Sequence, residues 1–127
     1  MALNAFLCYH DIMKTTEYHS VWERRKAEEK RRKDLAIEKA KIVAKALKEK
    51  YEVEEVLLFG SLVWRPDFLW WGSDIDLMVK GLDNERYFEA LAEVSSISYP
   101  FHVDLIPFEK AWLSIRERAE KEGVRIE

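Results

Sequence analysis

The sequence predicts a single α/β (α+β) unit: a short mixed β-sheet with helices packed on one face, plus a long N-terminal helix. Three observations predict it. Residues 21–50 contain neither Gly nor Pro and are mostly strong helix formers. Short apolar runs that read as strands then alternate with helix-patterned stretches. No repeat or low-complexity linker separates these pieces, and 127 residues are enough for one domain with a modest core.

Taken in order, residues 1–20 carry Leu3, Phe6, Leu7, Ile12 and Met13 without helical or strand period. In the long helix that follows, Leu35, Ala36, Ala40, Val43, Ala44 and Leu47 recur at three- and four-residue spacing and make an apolar stripe. Residues 23–34 offer almost nothing to bury, so a division is expected between an extension with a projecting basic helix (1–34) and a compact domain (35–127). Residues 53–59 read as a strand closed by the turn Gly60-Ser61. The connection 62–73 is unusually apolar, with Leu62, Val63, Trp64, Phe68, Leu69, Trp70 and Trp71 around Arg65, Pro66 and Asp67. Such a loop either caps the core or forms a surface for a partner or a second copy. Residues 75–80 form a second strand, closed by Gly81. A helix is expected from Asn84 to about residue 94 with Tyr87, Phe88, Leu91 and Ala92 inward. Residues 101–106 form a third strand, stopped by Pro107. A last helix over 109–122 should present Ala111, Trp112, Ile115 and Ala119 on one face, with Gly123 as its C-cap before a short strand at 124–126.

Composition excludes several classes. The single cysteine, Cys8, rules out an internal disulfide framework and a cysteine-rich zinc site, and points to a reducing, cytoplasmic setting. His10 and His19 are too far apart and too isolated to argue for zinc. No apolar run approaches the roughly 20 residues that cross a bilayer, and the N-terminus lacks signal-peptide order, so no membrane association or export is expected. Residues 23–50 hold 12 Lys/Arg and 6 Asp/Glu, a charge of +6 that leaves −9 for the rest of a chain whose net charge is −3. That basic helix suits nucleic acid, nucleotide phosphates or an acidic partner, although a merely solvated face is the simpler reading. The acidic body makes nucleic acid the less attractive partner.

The chemistry lies on the strands. Side chains alternate across a strand, so Asp74, Asp76 and Met78 share one face while Ile75, Leu77 and Val79 share the other. The same rule groups His102, Asp104 and Ile106. If the two strands are neighbours, three carboxylates converge, and such a cluster repels itself unless a cation sits in it. A hard divalent ion such as Mg²⁺, completing its shell with phosphate oxygens, is the natural answer, and phosphoryl or nucleotidyl transfer the natural use. Gly60 lets backbone approach a ligand closely, and a helix starting at Ser61 would offer N–H groups and a hydroxyl to phosphate. His102 either tunes Asp104 or is structural.

In this order of motifs, a strand ending Gly60-Ser61, a loop, Asp74-x-Asp76 on the next strand and Asp104 on a later one, the chain resembles the minimal nucleotidyltransferases of the DNA polymerase β-like superfamily. The resemblance covers roughly residues 35–127. It implies the nucleotidyltransferase fold, with Gly60, Ser61, Arg65 and Ser73 on the triphosphate, Asp74 and Asp76 holding Mg²⁺, and Asp104 completing the metal site or acting as base. It further implies transfer of AMP from ATP to a hydroxyl, and a role as the antitoxin of a toxin–antitoxin pair with a HEPN-type partner. The stretch between Ser61 and Asp74 departs from the family pattern, being two residues longer than the commonest spacing. Two other functions remain open: a non-catalytic antitoxin that occludes its partner, and an RNA-directed transferase using basic residues 24–33.

Overall fold

The computed structural model describes residues 16–65 and 74–126. Expectations placed on residues 1–15 and 66–73, including Cys8, His10, Phe68, Leu69, Trp70, Trp71 and Ser73, lie outside the described residues.

A single unbroken helix, α1 (Thr16–Tyr51), passes through the expected division at residue 34. No residue from 19 to 32 is buried; Lys33 is the first that is, and its Nζ donates to the Arg65 carbonyl at 2.5 Å. Beyond it Ala36, Ala40, Val43, Ala44, Leu47 and Tyr51 are buried at helical spacing, so the second half of the helix is the half that packs. Leu35 is exposed, because it sits one residue-step of rotation off the buried line of Ala36, Ala40 and Val43. The helix ends in a left-handed turn at Glu52, whose φ is 55°.

Four strands form one sheet in the order β3-β2-β1-β4. These are β1 (Glu55–Phe59), β2 (Asp74–Lys80), β3 (His102–Pro107) and β4 (Val124–Ile126). β1 is antiparallel to β2 and β4, whereas β2 and β3 are parallel and are joined by a crossover helix, α3 (Tyr87–Ser98). Strand alternation divides the sheet into two unlike faces. On one face, Val56, Leu58, Ile75, Leu77, Val79, Val103, Leu105 and Ile126 join the inner stripes of α1 and α3 in the main core. The opposite face carries a smaller cluster of Leu57, Phe59 and Met78, covered by Ala111 and by Ala119 of the last helix, α4 (Leu113–Glu122). The mixed sheet and long N-terminal helix are as predicted, and α4 adds partial cover to the second face.

Each later helix presents only part of the face expected: Tyr87 and Leu91 of the first, Ala111 and Ala119 of the second. A 3₁₀ turn, Asn84–Arg86, precedes α3, with Asp83 Oδ1 accepting from the Glu85 N–H at 3.0 Å. The inward line of α3 is then Ala90, Val94 and Ser98, with Tyr87 and Leu91 partly buried beside it. Phe88 is 79% exposed and Ala92 is exposed, since both lie off that line. In the last helix the expected face breaks because Ala111 and Trp112 have extended backbone between a 3₁₀ turn (Phe108–Lys110) and α4. Ala111 and Ala119 point inward, while Trp112 is exposed and Ile115 is partly so. Gly123 accompanies the helix end for a reason other than left-handed geometry. Its N–H donates to Ala119 O at 2.8 Å, and a Cβ built on it would stand 2.3 Å from the same oxygen.

Candidate functional site

The site begins with strand register. β1 pairs with β2 so that Phe59 lies opposite Asp76, and β2 pairs with β3 so that Asp76 lies opposite Asp104 and Asp74 opposite His102. The residue after Phe59, Gly60, therefore arrives beside Asp76. Gly60 has φ +82°, and a Cβ on it would meet Asp76 Oδ2 at 2.2 Å, so two independent constraints demand glycine here. Its carbonyl accepts from the N–H groups of Val63 and Trp64, both at 3.0 Å, and this starts the short helix α2 (Ser61–Trp64). A helix does start at Ser61 as expected, and it takes residues 62–64 out of the expected apolar loop. Leu62 anchors them in the main core, and the Trp64 ring packs against Phe59 at 6.4 Å between centroids.

Asp76 is half-buried, whereas Asp74 and Asp104 are exposed. Burial first, then a hydrogen bond with Asp104 and the charges of Asp104 and Asp74, pushes the Asp76 carboxyl up to about 6 from 3.8. Two carboxylates side by side on neighbouring strands disfavour each other's ionised form, which is why the half-buried one is the harder to ionise. Of the three carboxylates expected to converge, Asp76 and Asp104 are cross-strand neighbours, and Asp74 is set apart but close enough for its charge to be felt. Among the described residues no three His, Cys, Asp or Glu side chains are grouped so as to enclose a metal ion. The reason lies in the strand: Asp74 and Asp76 are two residues apart on one face, about 6.6 Å, whereas neighbours across a ladder are about 4.8 Å apart.

The donor set is nonetheless one that Mg²⁺ uses, because Mg²⁺ is commonly held by one or two carboxylates together with substrate phosphates and water rather than by a closed protein cage. A cation between Asp76 and Asp104 would relieve the repulsion of the two carboxylates.

Asp76, Gly60 and Ser61 line one cleft of about 540 Å³, within the range of small-ligand sites. Phe59, Trp64, Ile106 and Ile115 give it apolar walls, and Ser114 and Arg118 reach it from α4. Arg65, expected on the triphosphate, caps the end of α2, is exposed and does not line the cleft. His102 is exposed at the start of β3. Trp64, Ser114 and Arg118 are the residues that sequence reasoning missed as site candidates. Ser114 and Arg118 are four apart on a helix and so share a face, but nothing in the sequence shows that this face meets Gly60-Ser61.

Residues 41–127 match the family model of the polymerase β nucleotidyltransferase domain. The chain belongs to this family. The match spans all four strands and the Gly60-Ser61, Asp74-x-Asp76 and Asp104 positions. No curated protein matches the chain. Among solved structures, a chain of the toxin–antitoxin complex MntA-HepT is similar at 22% identity, with 70% of this chain and 68% of that chain covered and a TM-score of 0.49. No helix among the described residues of this polymerase β-type nucleotidyltransferase domain is long and apolar enough to cross a membrane.

Proposed function

We propose that the protein is a Mg²⁺-dependent nucleotidyltransferase that moves a nucleoside monophosphate, AMP from ATP, to a hydroxyl on a partner protein, as the cytoplasmic antitoxin of a toxin–antitoxin pair with a HEPN-type partner. One observation carries the reading: Asp76 lies between its cross-strand neighbour Asp104 and the Gly60-Ser61 turn, and lines one cleft with that turn. Family membership supports the reaction class. The choice of adenine, of a protein acceptor and of an antitoxin role rests on the resemblance of the motifs to the minimal nucleotidyltransferases.

In this reading Gly60 admits the phosphate chain close to the backbone, and the Ser61 hydroxyl and the start of α2 orient it. Asp76, with Asp74 and Asp104 beside it, would hold Mg²⁺, which would supply charge neutralisation to the triphosphate. The acceptor oxygen forms a bond to the α-phosphorus as the bond to the β-phosphate oxygen breaks. Pyrophosphate leaves with the electron pair, and the acceptor proton passes to the Asp104 carboxylate.

Calorimetric titration of ATP with and without Mg²⁺, repeated on Asp74→Asn/Asp76→Asn, tests this. Binding that requires Mg²⁺ and disappears in the double variant is expected. A well-folded wild type that binds no ATP would move the assignment to the second reading, a non-catalytic antitoxin that occludes its partner.

A further inference from the structure

We propose that Arg118, on the last helix, is the cation that receives the outer phosphates of the nucleotide, a role outside the Gly-Ser and Asp-x-Asp motifs. The inference rests on the nucleotide reading above. A nucleoside triphosphate carries several negative charges, and the Asp76 carboxyl in the wall and the adjoining Asp104 and Asp74 would repel it. Arg118 is the one positively charged side chain among the described residues that line the cleft. The cation expected from sequence, Arg65, does not line it.

Arg118 is also held in an attitude suited to phosphate. Its guanidinium carbon lies 3.9 Å from the centroid of the Trp64 ring, and its Nε donates to Glu122 Oε2 at 3.1 Å. The ring contact and the bond to Glu122 restrain the guanidinium, and that bond occupies one edge. The two Nη atoms have no hydrogen-bond partner among the described residues. A planar fork with a free edge is the geometry that takes two phosphate oxygens at once. Trp64 belongs to the short helix that Ser61 opens, and its ring contact holds the guanidinium at the cleft that Ser61 also lines. Trp64 is accordingly a positioning residue.

The test compares wild type, Arg118→Gln, Arg118→Lys and Glu122→Gln by calorimetry with Mg²⁺ and two probes: ATP, and tripolyphosphate, which has no base. Arg118→Gln is expected to weaken both by the same factor, roughly 10- to 100-fold, as for loss of a charge-assisted bond. Arg118→Lys should recover part of the loss, since it keeps charge without the fork, and Glu122→Gln should bind at least as tightly as wild type. Arg118 is exposed, so the variants keep the wild-type fold, and an unchanged thermal transition checks this. Wild-type binding of ATP with no loss in Arg118→Gln overturns the inference and leaves the nucleotide reading intact. So does a loss seen with ATP and absent with tripolyphosphate, which would put Arg118 on the base. No binding of ATP by folded wild type overturns both.

Discussion

The two faces of the sheet are made by the same four strands and could hardly differ more. The face under α1 and α3 is a continuous apolar core, with Ile75, Leu77 and Val79 fully buried. The other face has a small cluster around Met78, then gives way to Asp76, Asp104 and an open cleft. Burial of apolar area is the main favourable term in folding, at about 25 cal/mol per Å². The first face therefore holds the fold, and that leaves the second free to keep carboxylates that repel one another.

The largest effect should come from breaking the first face. Leu77→Ala removes a fully buried side chain and should cost about 2–5 kcal/mol in urea unfolding. A cost below about 1 kcal/mol would show that this face is not the main support. Gly60→Ala attacks the join between strand and site. It combines an unfavourable left-handed φ with a Cβ 2.2 Å from Asp76 Oδ2, so a loss of about 1–3 kcal/mol is expected, together with loss of ATP binding.

Asp76→Asn should act in the opposite direction. The folded-state pKa of Asp76, about 6, lies above its ordinary 3.8, so the folded protein holds more protons than the unfolded chain between these values. The contribution of this group to stability therefore falls as pH rises from about 4 to about 6 and stays low above that. The variant should melt roughly 2–5 °C higher than wild type at pH 7 without metal, and the gain should vanish near pH 4. Equal melting temperatures at pH 7 would remove the contrast between the faces.

On the covered side, Tyr51 donates to Glu93 Oε2 at 2.8 Å, and burial, with that bond second, pushes its hydroxyl up to about 12. A raised folded pKa means that stability is retained below pH 10 and lost as pH climbs towards 12. Tyr51→Phe should cost about 1–2 kcal/mol at pH 7 and should flatten the alkaline part of the stability curve. The smallest effect is expected at Glu52, a non-glycine residue with φ 55°, where Glu52→Gly should stabilise by about 0.5–1 kcal/mol in the same unfolding assay.

What could be read from the sequence follows the same division. Period-two alternation in β2 and β3 carries both the core pattern and the carboxylates, so the placement of Asp74, Asp76 and Asp104 on one face was legible. Gly60 was legible because it follows a buried strand. The faces of α3 and α4 were not. Short 3₁₀ turns at Asn84–Arg86 and Phe108–Lys110 reset the helical phase, and small inward residues such as Ala90 and Ser98 give a weaker signal than the exposed Phe88 and Trp112. Arg118 was illegible for a different reason: its part in the cleft depends on where α4 crosses the sheet, which no local pattern records.

The register of β3 has one more consequence. Val103 and Leu105 alternate with His102 and Asp104, and the first pair is buried against the main core. A slip of one residue against β2 would turn Asp104 into that core and leave both apolar side chains in water. The misaligned chain has no compact state to settle into, so folding proofreads the pairing of Asp104 with Asp76 before any ligand arrives.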